Sequence, residues 1–488
     1  MTNFTVRSTS MWRFVAMLLA CLACRVVVSA QDWPGPLPAR PVQFPPFELR
    51  TLPNGLRVLT VTDHRQPAIS FRLVVRAGAV QEPAGKAGVA SFVAALLDHG
   101  TTSTSAMALA ASVESAGGSV RVGAGNEATF VNGAVLRDRA EPMLALVADM
   151  LMHPAFAPAE IDRHRGELRA SFAVNGDNPG YLADLVFNRL VFGAHPYGRP
   201  NDGTSASIDR LTRDDLVAFH ATWFVPNNAI LALSGDLGAD DASAMAARTL
   251  GAWPRHDVPD VRPPLPPRPA RRIILDDRPG SAQTEIRVGN LAIARTHPDE
   301  MALNLAVRML GGEGANRLYT TLRSERGLAY GASAELHTYR DTGAIVAATS
   351  TRPESTADVL RLMIDECVRL QREPVPAREL RGAQDFVAGN FPIAVEAPAS
   401  LAAQLLDEVF YGLDPRDLET YRDRVGRVTA GDVQRVARQF LTPDDFAIVL
   451  VGDAAAFTTQ LRSLGFTEFE RVPVAELDLS SPTFRRGS

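Results

Sequence analysis

Residues 211–236 read LTRDDLVAFHATWFVPNNAILALSGD, and residues 428–453 read VTAGDVQRVARQFLTPDDFAIVLVGD. The two stretches align without a gap. Each has a Thr at a helix N-cap, a helical run that a Pro ends, and a continuous apolar strand that closes in Gly-Asp. Because this whole helix–Pro–strand unit recurs in order, the sequence predicts two homologous lobes that arose by duplication.

The sequence around the repeats groups strands with helices and does not alternate them strictly. The predicted elements are strands at 56–61, 69–75, 285–291 and 344–349, and helices at 140–152, 159–174, 181–192, 356–370 and 378–389. This pattern indicates an α+β fold. We expect each lobe to be a mainly antiparallel sheet that helices cover on one face.

A proline-rich stretch at 254–270 separates the two repeats. Proline at this density excludes helix and favours an extended, semi-rigid spacer. We therefore predict an N-terminal lobe at 31–253, a linker at 254–270, a C-terminal lobe at 271–475 and a tail at 476–488.

Residues 1–30 have the layout of a secretory signal peptide. Arg7 and Arg13 precede an apolar run, and small residues follow it before a possible cleavage site. An alternative is a lipoprotein signal with Cys21 or Cys24 acylated, although the residues before each cysteine fit that pattern poorly. The mature chain is expected to be periplasmic or secreted.

The composition narrows the class of protein further. A net charge of -5 argues against nucleic acid as the main partner, because phosphate binding needs a concentrated positive surface. After signal removal Cys367 would be the remaining cysteine, which excludes a disulfide framework. No later segment is long and apolar enough to predict a membrane span.

The first lobe has a recognisable order of motifs: LPNG, two strands, a Gly-rich entry into an apolar helix, and then Gly-Thr. This order resembles the pitrilysin/insulinase (M16) zinc peptidases, whose helix carries His-x-x-Glu-His. In that family the two His bind zinc and the Glu acts on zinc-bound water. A further Glu downstream completes the site.

Here the corresponding stretch, 88–101, reads GVASFVAALLDHGT. The two His positions fall on Ser91 and Ala95, the general base falls on Ala94, and the third ligand falls on Ser171. Alanine has no donor atom, and neutral serine is a poor zinc ligand. The resemblance therefore implies a dismantled metal site, with no cofactor and no peptidase activity for this chain alone.

The degenerate helix leaves two interpretations of its small residues. Ser91, Ala94 and Ala95 lie opposite a core-facing apolar stripe, which indicates close packing either against a partner or within the lobe. A metal site relocated to Asp98 and His99 has little support, because no two histidines are spaced i, i+3 or i, i+4. A Ser-His-Asp site lacks a Gly-x-Ser-x-Gly turn.

The second lobe carries a well-kept motif: residues 310–319 read LGGEGANRLY, and residues 322–330 read LRSERGLAY. This closely resembles the family's second-domain signature, in which an Arg and a Tyr seven positions apart reach into the active site. By position the pair is Arg323 and Tyr330, both of which could donate hydrogen bonds to a substrate carbonyl or oxyanion. The alternative is a surface Arg and a strand Tyr with no such role.

Some bacterial members of this family are heterodimers in which one subunit carries the zinc motif and the other carries the Arg/Tyr pair. The resemblance therefore implies a non-catalytic, substrate-binding subunit whose partners are a homologous zinc-bearing subunit and a peptide. Zinc is expected only in that partner. The alternative is a non-enzymatic peptide-binding or scaffolding protein of the cell envelope.

Overall fold

The structure is a computed structural model that describes residues 42–268, 270–312, 314, 316–479 and 481–486. The predicted signal peptide lies outside the described residues, as do Cys21 and Cys24. Export and the choice between the two signal types therefore stay predictions.

The first lobe contains one sheet, and the part of the chain that is described contributes six strands to it in the order β1-β2-β6-β3-β5-β4. The strands are β1 Phe47–Thr51, β2 Arg57–Thr62, β3 Ala68–Val75, β4 Ser119–Ala124, β5 Thr129–Leu136 and β6 Ala229–Gly235. β2 and β6 run parallel, and the other neighbouring pairs are antiparallel.

The second lobe repeats this arrangement, with six strands among its described residues in the order β12-β7-β11-β8-β10-β9. The strands are β7 Arg272–Asp277, β8 Thr284–Leu291, β9 Ala329–Thr338, β10 Gly343–Thr351, β11 Ala447–Gly452 and β12 Glu470–Pro473. The order β7-β11-β8-β10-β9 matches β2-β6-β3-β5-β4 strand for strand. β7 and β11 run parallel, as β2 and β6 do. The predicted α+β fold with two homologous lobes is confirmed.

Helices account for most of the remaining regular structure. In the first lobe they are α1 Val89–Leu96, α2 Ala106–Ser115, α3 Ala140–Met152, α4 Pro158–Gly176, α5 Pro179–Phe192, α6 Ser205–Ile208, α7 Arg213–Trp223 and α8 Ala239–Leu250. In the second lobe they are α9 Glu300–Gly311, α10 Arg317–Tyr319, α11 Thr356–Arg372, α12 Ala377–Ala394, α13 Pro398–Tyr411, α14 Tyr421–Arg427, α15 Ala430–Phe440 and α16 Ala454–Ser463. Over the described residues, no single helix meets the length and apolarity of a membrane span; α12 and α13 do so only as a pair bent by 114°.

The repeated unit forms the same local structure in both lobes. Thr212 caps α7 by accepting from the Asp215 backbone N–H at 3.3 Å, and the Asp215 carboxylate accepts in return from the Thr212 N–H at 2.9 Å. Thr429 and Asp432 cap α15 with distances of 3.1 and 3.0 Å. Each helix is followed by a short turn that begins at a proline and then by β6 or β11. The capping boxes and strand positions confirm the prediction from the sequence.

Each lobe packs one of its helices against the sheet of the other lobe. Helix α5 of the first lobe packs against β8 and β11, and helix α13 of the second lobe packs against β2 and β6. The Phe187 side chain of α5 is 2% exposed and occupies the space beside Gly289 of β8, where an added Cβ would stand 3.1 Å from its ring. Each sheet is thus covered on one face by its own helices and on the other face by a helix from the opposite lobe.

A polar cluster joins the lobes next to this apolar contact. The Glu127 carboxylate, in the turn between β4 and β5, accepts from the Tyr197 hydroxyl at 2.5 Å and from the Tyr411 hydroxyl at 2.8 Å. It also accepts from the Arg340 backbone N–H at 3.0 Å. A carboxylate that receives three donors is well satisfied at a desolvated position, so the cluster ties the first lobe to two segments of the second.

The chain segments outside the sheets also pack onto the lobes. Residues 254–268 contain neither helix nor strand, and Val258 and Val261 pack against the first-lobe core. In the stretch predicted as a tail, Phe484 is 2% exposed, and the Arg272 guanidinium carbon lies 5.7 Å from its ring centroid. The end of the chain therefore contributes to the packing of the second lobe.

Replacing Phe187 by alanine should destabilise the whole protein. The change leaves a cavity between α5 and the second sheet, so we expect the free energy of unfolding to fall by about 3–5 kcal/mol. Urea denaturation followed by circular dichroism measures it. Val174→Ala, at a side chain that is 73% exposed, is the control and should change stability by less than about 0.5 kcal/mol. Coincident denaturation midpoints for the two variants would contradict this packing.

Candidate functional site

Helix α1 carries Ser91, Ala94 and Ala95, three of the expected metal-site positions, and it begins in tightly packed surroundings. Gly88 precedes α1 with a φ of 93°, and a Cβ added there would meet the Asp202 carbonyl oxygen at 2.8 Å. The Glu82 carboxylate accepts from the backbone N–H groups of Gly88 at 2.9 Å and of Ala90 at 3.1 Å. Burial raises the pKa of Glu82 to about 8, although these two donors act to lower it. The start of α1 is therefore fixed by packing.

The four positions that the sequence identified as a dismantled metal site hold no ligand set. The Ser91 hydroxyl donates to the Asp202 carboxylate at 2.6 Å, so this side chain fastens a neighbouring loop to α1. Ala94 is 1% exposed and Ala95 is half-buried, whereas Ser171 is exposed on α4. For Ala94 the packing is within the lobe, which is the second of the two interpretations that the sequence left open.

Two histidines near α1 make contacts that involve no metal: one packs against an aromatic ring, and the other lies beside a carboxylate. The His164 ring of α4 packs edge-on against Phe92, with ring centroids 4.8 Å apart, and burial lowers the pKa of His164. His99 lies 2.8 Å from the Asp98 carboxylate, whose hydrogen bond raises the pKa of His99. Within the described ranges, no three His, Cys, Asp or Glu side chains are arranged to hold a metal ion. The donor atoms at this face do not fit zinc.

The second-lobe motif is built on an irregular helix. Helix α10 continues into a π-helical segment, Thr320–Glu325, which carries Arg323 on an exposed face. Leu322 is fully buried beneath it, and Arg317 forms a two-point ion pair with Glu379 at 2.6 and 3.0 Å. A π-helical turn is rare and often occurs at functional sites. These contacts hold the segment firmly while Arg323 points away from the core.

Tyr330 lies at a second irregularity, in the edge strand β9. The pairing of β9 with β10 shifts between Thr349 and Thr351, so that Tyr330 and Gly331 lie opposite Ser350 alone. The Thr349 hydroxyl donates to the Gly331 carbonyl at 2.7 Å and fixes the bulge. A bulge redirects side chains, and here the Tyr330 side chain is 84% exposed.

The structure brings Arg323 and Tyr330 together. The Arg323 guanidinium carbon lies 4.8 Å from the centroid of the Tyr330 ring and 5.0 Å from that of the Tyr319 ring. Over the ranges that the structure describes, Arg323 has no carboxylate partner. Its N–H groups are therefore available to donate to a peptide carbonyl or to the oxyanion formed from it.

The contacts between the candidate site residues could be established only from the structure. Among described residues no hydrogen bond, ion pair or ring contact joins Arg323 or Tyr330 to Ser91. Tyr319, which contacts Arg323 directly, was not predicted from the sequence as a site residue. The signal that could have found it is the spacing of four residues between them, because helix side chains at i and i+4 are neighbours.

A two-lobed α+β protein whose expected metal positions carry no zinc-binding side chains is the class that these features define. A family model described as Insulinase (Peptidase family M16) matches residues 57–199, and one described as Peptidase M16 inactive domain matches residues 210–386. The chain belongs to the M16 peptidase family, and its residues 210–386 match the domain that this family's models describe as inactive.

Individual relatives agree with this membership. An uncharacterized zinc protease of Mycobacterium tuberculosis is 29% identical over 425 residues, which are 85% of this chain and 95% of the relative. A crystal structure of a peptidase M16 inactive domain from Pseudomonas fluorescens superposes with a TM-score of 0.79 at 29% identity, covering 83% of this chain and 98% of that one. A protease from Helicobacter pylori has the same fold, with a TM-score of 0.79 at 20% identity over 84% of this chain and all of its own.

The purified chain should retain no stoichiometric zinc after incubation with the metal and desalting. The reason is that Ser91, Ala94, Ala95 and Ser171 offer no imidazole or carboxylate. Inductively coupled plasma mass spectrometry gives the zinc content, and a zinc peptidase with an intact His-x-x-Glu-His motif is the control. About one tightly held zinc per chain would contradict the interpretation of these positions.

Proposed function

We propose that this protein is the non-catalytic, substrate-binding subunit of a heterodimeric, exported zinc metallopeptidase that degrades peptides. In this proposal it donates Arg323 and Tyr330 to the active site of its partner. The observation that carries the proposal is the state of Arg323, which is exposed, in contact with two tyrosine rings and without a carboxylate partner among the described residues. The N–H groups of a guanidinium without a carboxylate partner are available to donate to a substrate.

The chemistry of the pair suits the stabilisation of negative charge on a peptide carbonyl. A guanidinium presents several N–H donors and stays protonated, and a phenol adds one O–H donor. Hydrogen bonds to a charged group contribute roughly 1.5–3 kcal/mol each where water is excluded. Zinc, held by the partner, would supply the activated water. This chain would bind and orient the scissile peptide and stabilise the charge that develops on its oxygen.

The proposed partner is a homologous M16 subunit with an intact His-x-x-Glu-His motif. The residues at the expected metal positions support a need for such a subunit, because Ser91, Ala94, Ala95 and Ser171 offer no donor set for zinc. The proposed location, periplasmic or secreted, rests on the signal-peptide pattern of residues 1–30.

Peptide cleavage should require both subunits and should depend on Arg323. In the reconstituted pair, Arg323→Ala removes the guanidinium donors and Tyr330→Phe removes the phenol O–H. We expect each change to lower turnover roughly a hundredfold to a thousandfold, as when an oxyanion donor is lost. A fluorogenic peptide library measures cleavage, and size-exclusion chromatography checks that the complex still forms. Arg326→Ala is the matched control, because it removes an exposed arginine of the same segment and should leave turnover unchanged.

Two results would contradict this proposal. Cleavage by this chain alone would show an active site of its own. Wild-type turnover by both the Arg323→Ala and Tyr330→Phe pairs would remove the catalytic-support role. Together with peptide binding by the isolated chain, that second result would favour a non-enzymatic peptide-binding or scaffolding protein.

A further inference from the structure

We infer that Tyr319 is a positioning residue for Arg323: its ring forms the fixed wall of a clamp that orients the guanidinium toward substrate. The inference rests on the proposed function and extends it to a residue outside the Arg/Tyr pair. The guanidinium carbon of Arg323 lies 5.0 Å from the Tyr319 ring centroid and 4.8 Å from the Tyr330 ring centroid. One cation is therefore in contact with two aromatic rings.

The two rings differ in how firmly they are held. Tyr330 is 84% exposed, whereas Tyr319 is half-buried. The Asn316 side-chain oxygen accepts from the Tyr319 backbone N–H at 2.7 Å, which caps the helix at this residue. The adjacent Leu318 is fully buried. The backbone of Tyr319 is consequently anchored at the start of the helix, and its half-buried ring lies against the Arg323 guanidinium.

The helix geometry brings Tyr319 and Arg323 close along the chain. The two residues are four positions apart, at the junction where α10 becomes the π-helical segment Thr320–Glu325. Residues at i and i+4 are neighbours on a helix, and the wider π-helical turn keeps them on one side. This local spacing lets the ring reach the guanidinium without any contribution from a distant segment.

The kind of contact decides what Arg323 can do. A carboxylate partner would occupy the guanidinium N–H donors in a two-point ion pair, as Glu379 does for Arg317 in the same motif. An aromatic ring attracts the cation through its π face and accepts no conventional hydrogen bond. Two rings can therefore restrict the side chain and still leave donors for a peptide carbonyl. An exposed arginine without such contacts would spread over many rotamers.

The experiment compares Tyr319→Leu with Tyr319→Phe in the reconstituted pair. Leucine removes the aromatic face, so we expect kcat/KM to fall by roughly threefold to thirtyfold, the range that corresponds to a cation–π contact. Phenylalanine keeps the ring and should retain activity within about twofold, which a role for the phenol itself would not allow. Thermal denaturation of each isolated variant checks that the fold is intact.

A double substitution separates positioning from a general structural effect. If Tyr319 acts through Arg323, adding Tyr319→Leu to Arg323→Ala should cause no further loss, because no guanidinium remains to be oriented. Additive losses would overturn the inference. A second readout needs no partner: NMR of the arginine-labelled chain should show an upfield ring-current shift of the Arg323 side chain that Tyr319→Leu reduces and Tyr319→Phe preserves.

The outcomes distinguish this inference from the proposed function. If Arg323→Ala lowers turnover but Tyr319→Leu does not, the function stands and the positioning role is wrong. If Arg323→Ala and Tyr330→Phe both leave turnover unchanged, the proposed function fails and the positioning role fails with it. An Arg323 NMR signal that is identical in the wild type and in Tyr319→Leu would overturn the clamp itself.

Discussion

The central strands β6 and β11 are buried along their whole length, and the rest of the structure depends on how both faces of each strand are covered. Each lobe has helices of its own for one face of its sheet. The second face is covered by the opposite lobe, through α5 on one side and α13 on the other. Since an apolar sheet face left in water is unfavourable, neither sheet is complete without the other lobe. Duplication has thus produced two similar halves that fold as mutually dependent parts.

This exchange also explains why polar groups occur at the junction of the lobes. Helices that cross from one lobe to the other bring loop segments together in partly desolvated surroundings, where unpaired polar groups are costly. Glu127 receives donors from Tyr197, Tyr411 and the backbone N–H of Arg340, so both of its carboxylate oxygens are hydrogen-bonded. The hydrogen bonds add direction to an interface that apolar packing alone would specify less sharply.

The two lobes have kept different parts of the M16 arrangement. In the first lobe, the helix of the zinc motif has become a packing element, with Ala94 buried and Ser91 bound to Asp202. In the second lobe, two backbone irregularities display polar side chains: a π-helical segment carries Arg323, and a β-bulge carries Tyr330. Regular helices and strands are usually more stable than π-helical turns and β-bulges. Two such irregularities at one motif therefore favour a functional constraint on it.

The resemblance to the M16 family supplied the metal-site positions and the Arg323/Tyr330 pair as predictions, and the sequence patterns themselves predicted the duplication, most of the strands and helices, and the Thr N-caps of α7 and α15. These depend on residue identity, spacing and periodicity, all of which are local properties of the chain. The tertiary structure alone decided which helix covers which sheet, because α5 and α13 are apolar on one side and the sequence does not say what they face. It also decided the hydrogen bond from Ser91 to Asp202 and the contact of Tyr330 with Arg323. Such contacts depend on the register of β9 against β10 and on the packing of segments far apart in the chain, which no local pattern encodes.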